Sequence, residues 1–472
     1  MNPITIPNIS IPTIGIPTIG IPSVGFPSAS GGGGLSWPAG MKEHIKAWYD
    51  PKKQGMTNYD VIEAYVEDFT NWNYVKARGV ATISQHKFII TECILKGLSI
   101  VEDIQEPYSN LTVRIIGITD NQEVLITDYV NGQHQIINTI TEDGIYTIED
   151  GIYTIEDRHH FVGFGCNFVG TCNITIEQLP TSILKDFSGN GNHAYLYGGK
   201  GKLNSGMGVY QQDFSNVRGV TTVSANGFEL FREGTGGTYL ARISIGYWNN
   251  KECRLLFETN NTSNLYYIRY RKANNDIVTS VRLHNGENII PAQDDLADVS
   301  EVIFEGALRD NEYIRVTEIP DCPDQLCYDG KMYAVCYGFP ILTDYTVMAE
   351  RTWFENRNVF LAKGNITTEA KYAFIFERFK PDGVMTVQSF GAWNDVVSTT
   401  DSCISYLTKN KYNGIDIRSG IGADDDMLSI GGALNKGNIE LTSVCCHGAI
   451  IIADRSFTEE EINWLKQNWD KI

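Results

Sequence analysis

The segment Arg78-Gly-Val-Ala-Thr-Ile-Ser84 recurs later in the chain as Arg218-Gly-Val-Thr-Thr-Val-Ser224, and this repeat decides the architecture. An alternating segment that ends in proline, Ile174-Thr-Ile-Glu-Gln-Leu-Pro180, has its counterpart at Ile314-Arg-Val-Thr-Glu-Ile-Pro320. The offset in residue number is the same for both pairs of segments, because 218 − 78 equals 314 − 174. Matching segments at both ends of a unit indicate that one module occurs twice in this chain.

Within each copy, short apolar runs alternate with glycine, asparagine and aspartate. Leu111-Thr-Val-Arg-Ile-Ile-Gly-Ile118 and Leu265-Tyr-Tyr-Ile-Arg-Tyr-Arg271 are typical of strands with one buried face. Short strands that are separated by turn residues predict a small β-sandwich. We therefore predict two homologous inserted β-sandwich modules, which span residues 67–180 and 205–320.

A shorter duplication lies inside the first module. Gly144-Ile-Tyr-Thr-Ile-Glu-Asp150 is followed directly by the identical heptapeptide Gly151-Ile-Tyr-Thr-Ile-Glu-Asp157. In a straight strand the second copy would face the opposite side, because the repeat has an odd number of residues and side chains alternate with period two. A strand, a glycine turn and a second strand are therefore expected here.

The N-terminus contains five pentads that each place proline second. They begin at Ile6, Ile11, Ile16, Ile21 and Phe26. Proline at every fifth position excludes a helix and favours an extended chain. Ordering about 25 backbone residues costs roughly 25–50 kcal/mol, whereas burial of about ten apolar side chains returns roughly 15–30 kcal/mol. Residues 1–30 therefore cannot fold alone, and either a partner surface or identical segments in a fibrous oligomer must hold them. We predict an extended Ile-Pro anchor that binds a partner.

Residues 31–40 follow the anchor and begin with four consecutive glycines. Glycine has no side chain that restricts its backbone, so a run of glycines behaves as a flexible joint. We expect a Gly-rich hinge over 31–40, between the anchor and the rest of the chain.

The charge and composition exclude several classes of protein. A formal net charge of −19 argues against nucleic acid as a partner, because phosphate backbones are bound by cationic side chains that displace counterions. No charged residue precedes Lys42, so a secretory signal is not expected. Proline interrupts the apolar runs of the N-terminus, so membrane insertion is not expected either. The ten cysteines lack the spacing of a zinc site and are expected to be free thiols buried in strands.

Further segments fit one more domain, which the two modules interrupt. Lys185-Asp-Phe-Ser-Gly-Asn-Gly-Asn-His-Ala194 lies between the modules. Leu326-Cys-Tyr-Asp-Gly-Lys-Met-Tyr-Ala-Val335 and Thr343-Asp-Tyr-Thr-Val-Met-Ala349 follow the second module. This series resembles laminin-G-like and concanavalin-like jelly rolls, in which such a turn precedes two strands of this kind. The resemblance implies an all-β chain with a discontinuous, lectin-like jelly-roll domain built from residues 41–66, 181–204 and 321–472.

The C-terminus predicts a strand, Gly448-Ala-Ile-Ile-Ile-Ala453, followed by a helix. Thr458 and Glu461 have the spacing of a capping box, and Phe457 and Ile462 are placed as a hydrophobic staple. A closing strand and helix are also typical of the jelly roll that the chain resembles.

The segment before the first module carries a second resemblance. Trp48-Tyr-Asp-Pro-Lys-Lys-Gln-Gly-Met-Thr-Asn58, followed later by the Asp-x-Ser-Gly-Asn-Gly turn, resembles structural proteins of crAss-like phages of gut Bacteroidales. The resemblance covers scattered blocks between residues 44 and 472 and implies a virion structural protein. We expect a head (capsid) fibre, assembled in the bacterial cytoplasm and displayed on the virion surface as a homotrimer. The alternative is a tail fibre, a receptor-binding adhesin that recognises host surface glycans.

Under either expectation, the N-terminal anchor binds other virion proteins, either the capsid or a fibre-anchoring protein. Its alternating apolar and proline side chains supply the contact surface. The predicted virion-anchoring residues are Ile6, Pro7, Ile11, Pro12, Ile16, Pro17, Ile21, Pro22 and Phe26.

We expect neither an enzyme nor a cofactor, because no catalytic constellation is recognisable. Glycoside hydrolysis needs two carboxylates beside the scissile bond, and the chain contains no Glu-x-Asp-x-Glu strand that would place them on one face. Asp424-Asp-Asp426 offers oxygen ligands for calcium but is expected to be a solvated turn. Glycan binding uses aromatic faces, and the candidate glycan-binding residues are Trp353, Trp393 and Trp248.

Overall fold

The computed structural model describes residues 36–56, 64–103, 111–130, 133–148, 162–199, 206–234, 237–294, 296–354, 358–366, 372–397, 402–422, 425–436 and 438–472. The predicted anchor and the second copy of the heptapeptide lie outside these residues. Strands make up nearly all of the regular secondary structure of the described residues, so the predicted all-β fold is confirmed. Neither α-helix in this part of the chain approaches the length that a membrane crossing requires.

The first half of the chain alternates between the host domain and the first module. Strand β1 (Ile45–Tyr49) and helix α1 (Pro51–Gln54) come first. The strands of the first module are β2 (Asn73–Tyr74), β3 (Gly79–Ser84), β4 (Lys87–Cys93), β5 (Leu98–Glu102), β6 (Leu111–Ile116), β7 (Val124–Val130), β8 (Gln133–Ile140), β9 (Gly144–Ile148), β10 (Val162–Cys166) and β11 (Gly170–Gln178). The chain then returns to the host with β12 (Ile183–Leu184), β13 (Ala194–Tyr197) and β14 (Gly206–Met207).

The second half contains the second module and most of the host domain. The strands of the second module are β15 (Thr222–Ser224), β16 (Gly227–Phe231), β17 (Tyr239–Ser244), β18 (Cys253–Thr259), β19 (Tyr266–Arg271), β20 (Ile277–Leu283), β21 (Gly286–Ile290), β22 (Glu301–Leu308) and β23 (Tyr313–Ile319). The remaining host elements are β24 (Leu326–Asp329), β25 (Tyr333–Tyr337), β26 (Thr346–Trp353), β27 (Val359–Ile366), β28 (Tyr372–Phe379), β29 (Met385–Ser389), β30 (Ala392–Val396), β31 (Ser402–Thr408), β32 (Lys411–Tyr412), β33 (Ile415–Asp416), β34 (Met427–Ile430), β35 (Ala433–Asn435), β36 (Asn438–Glu440), β37 (Val444–Ala453) and α2 (Glu459–Asn468). Single 3-10 turns occur at Lys42–His44, Phe69–Asn71 and Trp469–Lys471.

The two modules share one topology. In the first, the sheets have the orders β3-β4-β11-β6-β9 and β2-β5-β10-β7-β8. In the second, the orders are β15-β16-β23-β18-β21 and β17-β22-β19-β20. When strands are counted from β3 and from β15, the two sets of orders coincide, apart from the additional strand β2 beside β5. The predicted duplication is thereby confirmed at the level of strand pairing.

The register of the strands repeats as well. Phe88 lies opposite Ile83 on one side and opposite Ile176 on the other. Its equivalent in the second module, Phe228, pairs in the same way between Val223 and Val316. Phe88 and Phe228 are both buried in the core of their own module.

Hydrogen bonds tie the two ends of the first module to each other. The N–H of Thr181 donates to the carbonyl oxygen of Ala64 at 2.7 Å. With its amide oriented to satisfy both neighbours, the buried Gln178 side-chain oxygen accepts from the N–H groups of Val66 (2.7 Å) and Glu67 (3.2 Å). We call this set of bonds the collar of the first module.

An equivalent collar closes the second module. The N–H of Asp321 donates to the carbonyl oxygen of Val209 at 2.9 Å. The carboxylate of Glu318 accepts from the N–H groups of Gln211 (2.5 Å) and Gln212 (3.0 Å). Gln178 and Glu318 occupy equivalent positions of the repeat, so the two modules close at the same place with different side chains.

The host domain is a jelly-roll-type sandwich of two sheets. One has the order β14-β24-β37-β26-β31-β32-β33, with β1 also paired to β37, and the other has the order β12-β13-β25-β34-β27-β28-β29-β30, with β35 and β36 beside β27. The core between the sheets contains Ala47, Leu196 and Ile450, one from each of the predicted host segments. Met207 and Tyr210 also lie in this core. The second module therefore begins after Tyr210, which corrects the predicted start at residue 205.

The Asp-x-Ser-Gly-Asn-Gly turn fastens β1 to the host. The carboxylate of Asp186 accepts from the N–H groups of Trp48 (2.9 Å) and Asn192 (3.0 Å). The side-chain amide of Asn190 donates to the carbonyl oxygen of Ile45 at 2.8 Å. Both glycines of the turn, Gly189 and Gly191, have positive φ, 92° and 77°.

The C-terminal helix holds the first described residues of the chain. Helix α2 begins with the predicted capping box, in which Thr458 and Glu461 bond reciprocally. The ring of Trp37 lies 5.0 Å from that of Trp464 and 6.1 Å from that of Trp48, between centroids. The prediction of a flexible hinge over 31–40 is therefore wrong at Trp37, because aromatic packing fixes this residue against the host domain.

The prediction that all ten cysteines are free thiols is also wrong. Disulfides join Cys93 to Cys166 and Cys327 to Cys446, and the other six cysteines are free. The partners are 73 and 119 residues apart in the sequence, so only the folded chain brings them together. Cys327 and Cys446 lie directly opposite each other on β24 and β37.

A buried ion pair lies in the core of the host domain. The guanidinium of Arg351 donates to both carboxylate oxygens of Glu377, at 2.5 and 3.1 Å, and neither side chain is exposed to solvent. The hydroxyl of Tyr412 (2.8 Å) and the indole N–H of Trp353 (3.0 Å) also donate to this carboxylate. Glu377 has a φ of 62°, a left-handed conformation that is costly for this residue type. The surrounding hydrogen bonds therefore hold the carboxylate in place.

The two collars predict different pH dependences for the two modules. Burial raises the pKa of Glu318 from its ordinary 4.5 to about 7. The contribution of Glu318 to the stability of the second module should therefore be greatest below pH 4.5, and up to about 3 kcal/mol of it should be lost as the pH rises from there to 7. Glu318→Gln should abolish this dependence, because an amide does not titrate. The substitution should be tolerated, since Gln178 occupies the same position in the first module. Gln178→Glu should introduce it there.

Hydrogen exchange of the full-length protein, read by mass spectrometry between pH 5 and 8 and corrected for intrinsic rates, checks this prediction. Peptides from 301–319 report on the second module and peptides from 170–178 report on the first. An unchanged pH slope in Glu318→Gln would contradict the assignment.

Removal of Arg351 should destabilise the host domain by about 3–5 kcal/mol, because Glu377 is then left as a buried carboxylate without its cation. Lys411→Met is the matched control, since its pair with Glu459 is exposed to solvent and contributes little to stability. Urea denaturation followed by tryptophan fluorescence measures both changes. The double variant Arg351→Met/Glu377→Gln should recover part of the loss, and equal effects of Arg351→Met and Lys411→Met would refute the argument.

Candidate functional site

The predicted virion-anchoring residues cannot be located in the structure. Ile6, Pro7, Ile11, Pro12, Ile16, Pro17, Ile21, Pro22 and Phe26 all lie outside the described residues. Their role stays a prediction. The nearest described side chain with a defined packing environment is Trp37, beside helix α2.

Trp353 does not offer a surface for glycans. Its side chain is 2% exposed, and its ring packs edge-on against Phe360 and Phe379 in the host core. Its indole N–H is engaged by Glu377. This burial corrects the prediction that Trp353 contacts a glycan.

The other two candidate tryptophans differ in exposure. Trp248 is half-buried and packs edge-on against Tyr270 at the core of the second module. Trp393 lies on the edge strand β30 and is 36% exposed, with the guanidinium of Arg378 5.2 Å from its ring centroid. Trp393 is therefore an accessible aromatic side chain, and its role in glycan binding stays a prediction.

A different set of aromatic residues covers the outer face of a host sheet. Tyr195 and Tyr197 lie on β13, and Tyr333 and Tyr337 lie on the adjacent β25. Their neighbours on these strands, such as Ala334, point into the host core. Side chains alternate between the two faces of a strand, so the four tyrosines share one face. This face is directed towards the first module.

Side chains of the first module form the opposite wall. The guanidinium of Arg114 lies 4.4 Å from the ring centroid of Tyr337, which is within the range of a cation–π interaction. Arg114 is also 3.7 Å from the carboxylate of Glu177 on the neighbouring strand β11. Lys87, at the start of β4, stands opposite Glu177 in the sheet register.

The two walls enclose a cavity of about 770 Å³, which we call the tyrosine cleft. Small-ligand sites in proteins have volumes of about 300–1,000 Å³, so the cleft has the size of a binding site. It is lined by Lys87, Arg114, Ile116, Glu177, Tyr197, Tyr333, Val335, Tyr337, Met427, Leu434, Lys436, Asn438 and Ile439.

The tyrosines of the cleft are held by one another. The rings of Tyr197 and Tyr333 stack with centroids 5.0 Å apart and an angle of 10° between their planes. The hydroxyls of Tyr197 and Tyr337 are 3.0 Å apart and share a hydrogen bond. Burial raises the pKa of both hydroxyls, and the nearby carboxylate of Glu177 raises each further. Both hydroxyls therefore stay neutral and can donate as well as accept.

A second cavity of about 680 Å³ continues from the first and shares Arg114, Ile116 and Tyr337 with it. Asp143 and Asp426 line this part. The carboxylate of Asp143 accepts from the N–H groups of Gly117 (3.0 Å) and Ile118 (2.9 Å), which fixes its position. The cleft therefore has a carboxylate-rich end beyond Arg114.

This arrangement is suited to binding. Aromatic rings supply flat apolar contact surfaces, and hydroxyl, amide and charged groups between them supply hydrogen bonds. Among the described residues, no cluster of three His, Cys, Asp or Glu side chains could hold a metal ion.

The sequence contains a signal for the cleft that composition alone does not reveal. Tyr195-Leu-Tyr197 and Tyr333-Ala-Val-Cys-Tyr337 place tyrosines on one side of their strands, with small or aliphatic residues such as Leu196 and Ala334 between them. Such a pattern predicts a strand with one aliphatic and one aromatic face. It does not indicate that another module covers the aromatic face.

The resemblance of this chain to solved structures is weak. No family model and no curated protein matches the chain. A sialidase of Trypanosoma rangeli in complex with sialic acid aligns over 84% of both chains, with 10% identity and a TM-score of 0.24. The tandem CBM22 domains of Xyn10C from Paenibacillus barcinonensis align over 56% of this chain and 98% of theirs, with 8% identity and a TM-score of 0.18. At these TM-scores neither match carries an argument about the fold, a ligand or an activity of this chain.

Proposed function

We propose that this chain is a non-enzymatic virion fibre protein of the adhesin type, which binds saccharide in the tyrosine cleft. The observation that carries the proposal is the stacked pair Tyr197–Tyr333 beside the Arg114–Tyr337 contact, in a cavity of about 770 Å³. On this basis, the glycan-recognising tail fibre is favoured over the purely structural head fibre.

The chemistry of the cleft suits a saccharide. A sugar ring has an apolar C–H face, which packs against aromatic rings, and hydroxyls at its edge, which need donors and acceptors. The half-exposed rings of Tyr333 and Tyr337 offer aromatic surfaces for the C–H face of the sugar. Donors and acceptors for the sugar hydroxyls come from the neutral tyrosine hydroxyls, the amide of Asn438 and the carboxylate of Glu177.

The anchoring part of the proposal rests on the N-terminal sequence together with the position of Trp37. A segment such as 1–30, which cannot fold alone, needs a partner surface. The contacts of Trp37 with Trp48 and Trp464 fix the point where the N-terminal segment leaves the host domain. We further propose that the protein is a homotrimer on the virion surface, by analogy with other fibres.

A head fibre without a glycan ligand is the second candidate. The net charge of −19 supports it, because strong self-repulsion keeps densely displayed copies apart. In this case the cleft would be only an interface between two domains of the chain.

A glycan array probed with full-length protein distinguishes the two candidates. Saturable binding to bacterial surface saccharides is expected, and Tyr333→Ala should weaken it about tenfold by removing one ring of the stacked pair. Trp393→Ala is the matched control, since this exposed aromatic residue lies at the opposite edge of the same sheet. Absence of binding favours the head fibre, and loss of binding in Trp393→Ala alone would move the site to β30.

The anchor is tested by deletion of residues 2–30. The shortened chain should fold and stay soluble but fail to co-sediment with particles that are assembled in its presence, because the apolar contacts of the anchor are lost. A second variant replaces Ile6, Ile11, Ile16 and Ile21 with serine and retains length and prolines. It should lose incorporation as well, since proline alone does not supply the apolar contacts. Normal incorporation of the deletion variant would rule out the anchor.

A further inference from the structure

The charges around the tyrosine cleft are distributed unevenly. The first cavity is lined by three cationic side chains, Lys87, Arg114 and Lys436, and by one carboxylate, Glu177. The continuation beyond Arg114 is lined by two carboxylates, Asp143 and Asp426. The cleft thus has a cationic and an acidic end, on a chain whose net charge is −19.

Within the described part of the chain, Arg114 has a carboxylate partner and the two lysines do not. Arg114 is paired with Glu177 and stacked on Tyr337. Lys87 and Lys436 are exposed, and neither forms an ion pair with a carboxylate among the residues that the structure describes. They reach the same cavity from opposite walls, Lys87 from the first module and Lys436 from the host.

Lys436 has a strained backbone conformation. Lys436 lies in the tight turn between β35 and β36 and has a φ of 51°. Asparagine and glycine are favoured at such turn positions, because other side chains crowd the backbone there. The side chain of Lys436 lines the first cavity of the cleft.

We infer that the saccharide bound in the tyrosine cleft is acidic, with its anionic group placed between Lys87 and Lys436. The inference rests on the proposed function, since it names the class of saccharide that this site takes. An anion approaching a chain of net charge −19 is repelled at long range, so only local cations hold it. The sugar rings then lie along Tyr333 and Tyr337, and the neutral part of the ligand faces Asp143 and Asp426.

Isothermal titration with matched saccharides tests the inference on the full-length protein. The first probe is a tetrasaccharide that contains glucuronate, and the second is the same compound with the carboxyl group reduced to an alcohol. A sulfated tetrasaccharide is the third probe, because sulfate offers the same anionic chemistry from another source. The acidic compounds should bind about tenfold more tightly than the reduced one, since each lysine supplies a charge-assisted hydrogen bond.

Variants assign the preference to the two lysines. Lys87→Gln and Lys436→Gln should each reduce the preference for the acidic compounds over the reduced compound to about threefold or less, because each substitution removes one of the two cations that face the anionic group. Lys380→Gln is the control, because Lys380 is paired with Asp395 at the surface outside the cleft. Higher salt should weaken binding of the acidic compounds alone.

The outcomes separate this inference from the function on which it rests. Equal affinity for the acidic and reduced compounds, with both lost in Tyr333→Ala, overturns the acidic ligand and leaves the saccharide site intact. Binding of neutral array glycans without binding of any acidic probe likewise overturns the acidic ligand and leaves the saccharide site intact. Absence of all saccharide binding overturns the proposed function together with the inference.

Discussion

The host sandwich depends on hydrogen bonds that join the end of each module to its start. The two modules interrupt the host between β1 and β12 and between β14 and β24, so strands on either side of each module must still reach the same sheets. Gln178 in the first module and Glu318 in the second bind the backbone at the start of their own module. These bonds bring the two ends of a module of more than one hundred residues close together. The entropic cost of closing that long loop when the host assembles is thereby reduced.

The collar of the first module also orients it. Leu179, which follows Gln178 directly, is buried against Tyr197, Val335 and Leu434 on the outer face of the host sheet. Strand β11, which carries Glu177, therefore ends next to the tyrosine face. The neighbouring strand β6 places Arg114 against Tyr337. The tyrosine cleft follows from this closure, because two outer sheet faces that would otherwise be solvated are brought opposite each other.

The sequence predicted what depends on local pattern and repetition. The constant offset between the repeated segments located both modules, and the capping box at Thr458 and Glu461 formed as expected. The wrong predictions concern contacts between distant segments. Trp353 lies in the core, where Glu377 on another strand accepts a hydrogen bond from its indole N–H. Cys93 is bonded to Cys166, which lies in the opposite sheet of the first module. The tyrosines were overlooked because alternation shows that a face is aromatic but does not show what lies opposite it.

A ligand in this cleft would act on more than its own site. Lys87 and Arg114 belong to the first module, whereas Tyr333 and Lys436 belong to the host, so a saccharide that contacts all four bridges two domains. Any ligand that binds one arrangement of two domains better than others stabilises that arrangement by its differential affinity. The position of the first module relative to the host is otherwise set by its collar, by Leu179 and by the Arg114–Tyr337 contact. Occupancy of the cleft would therefore stiffen the junction between the first module and the host, and binding and mechanical rigidity would be coupled through the same few side chains.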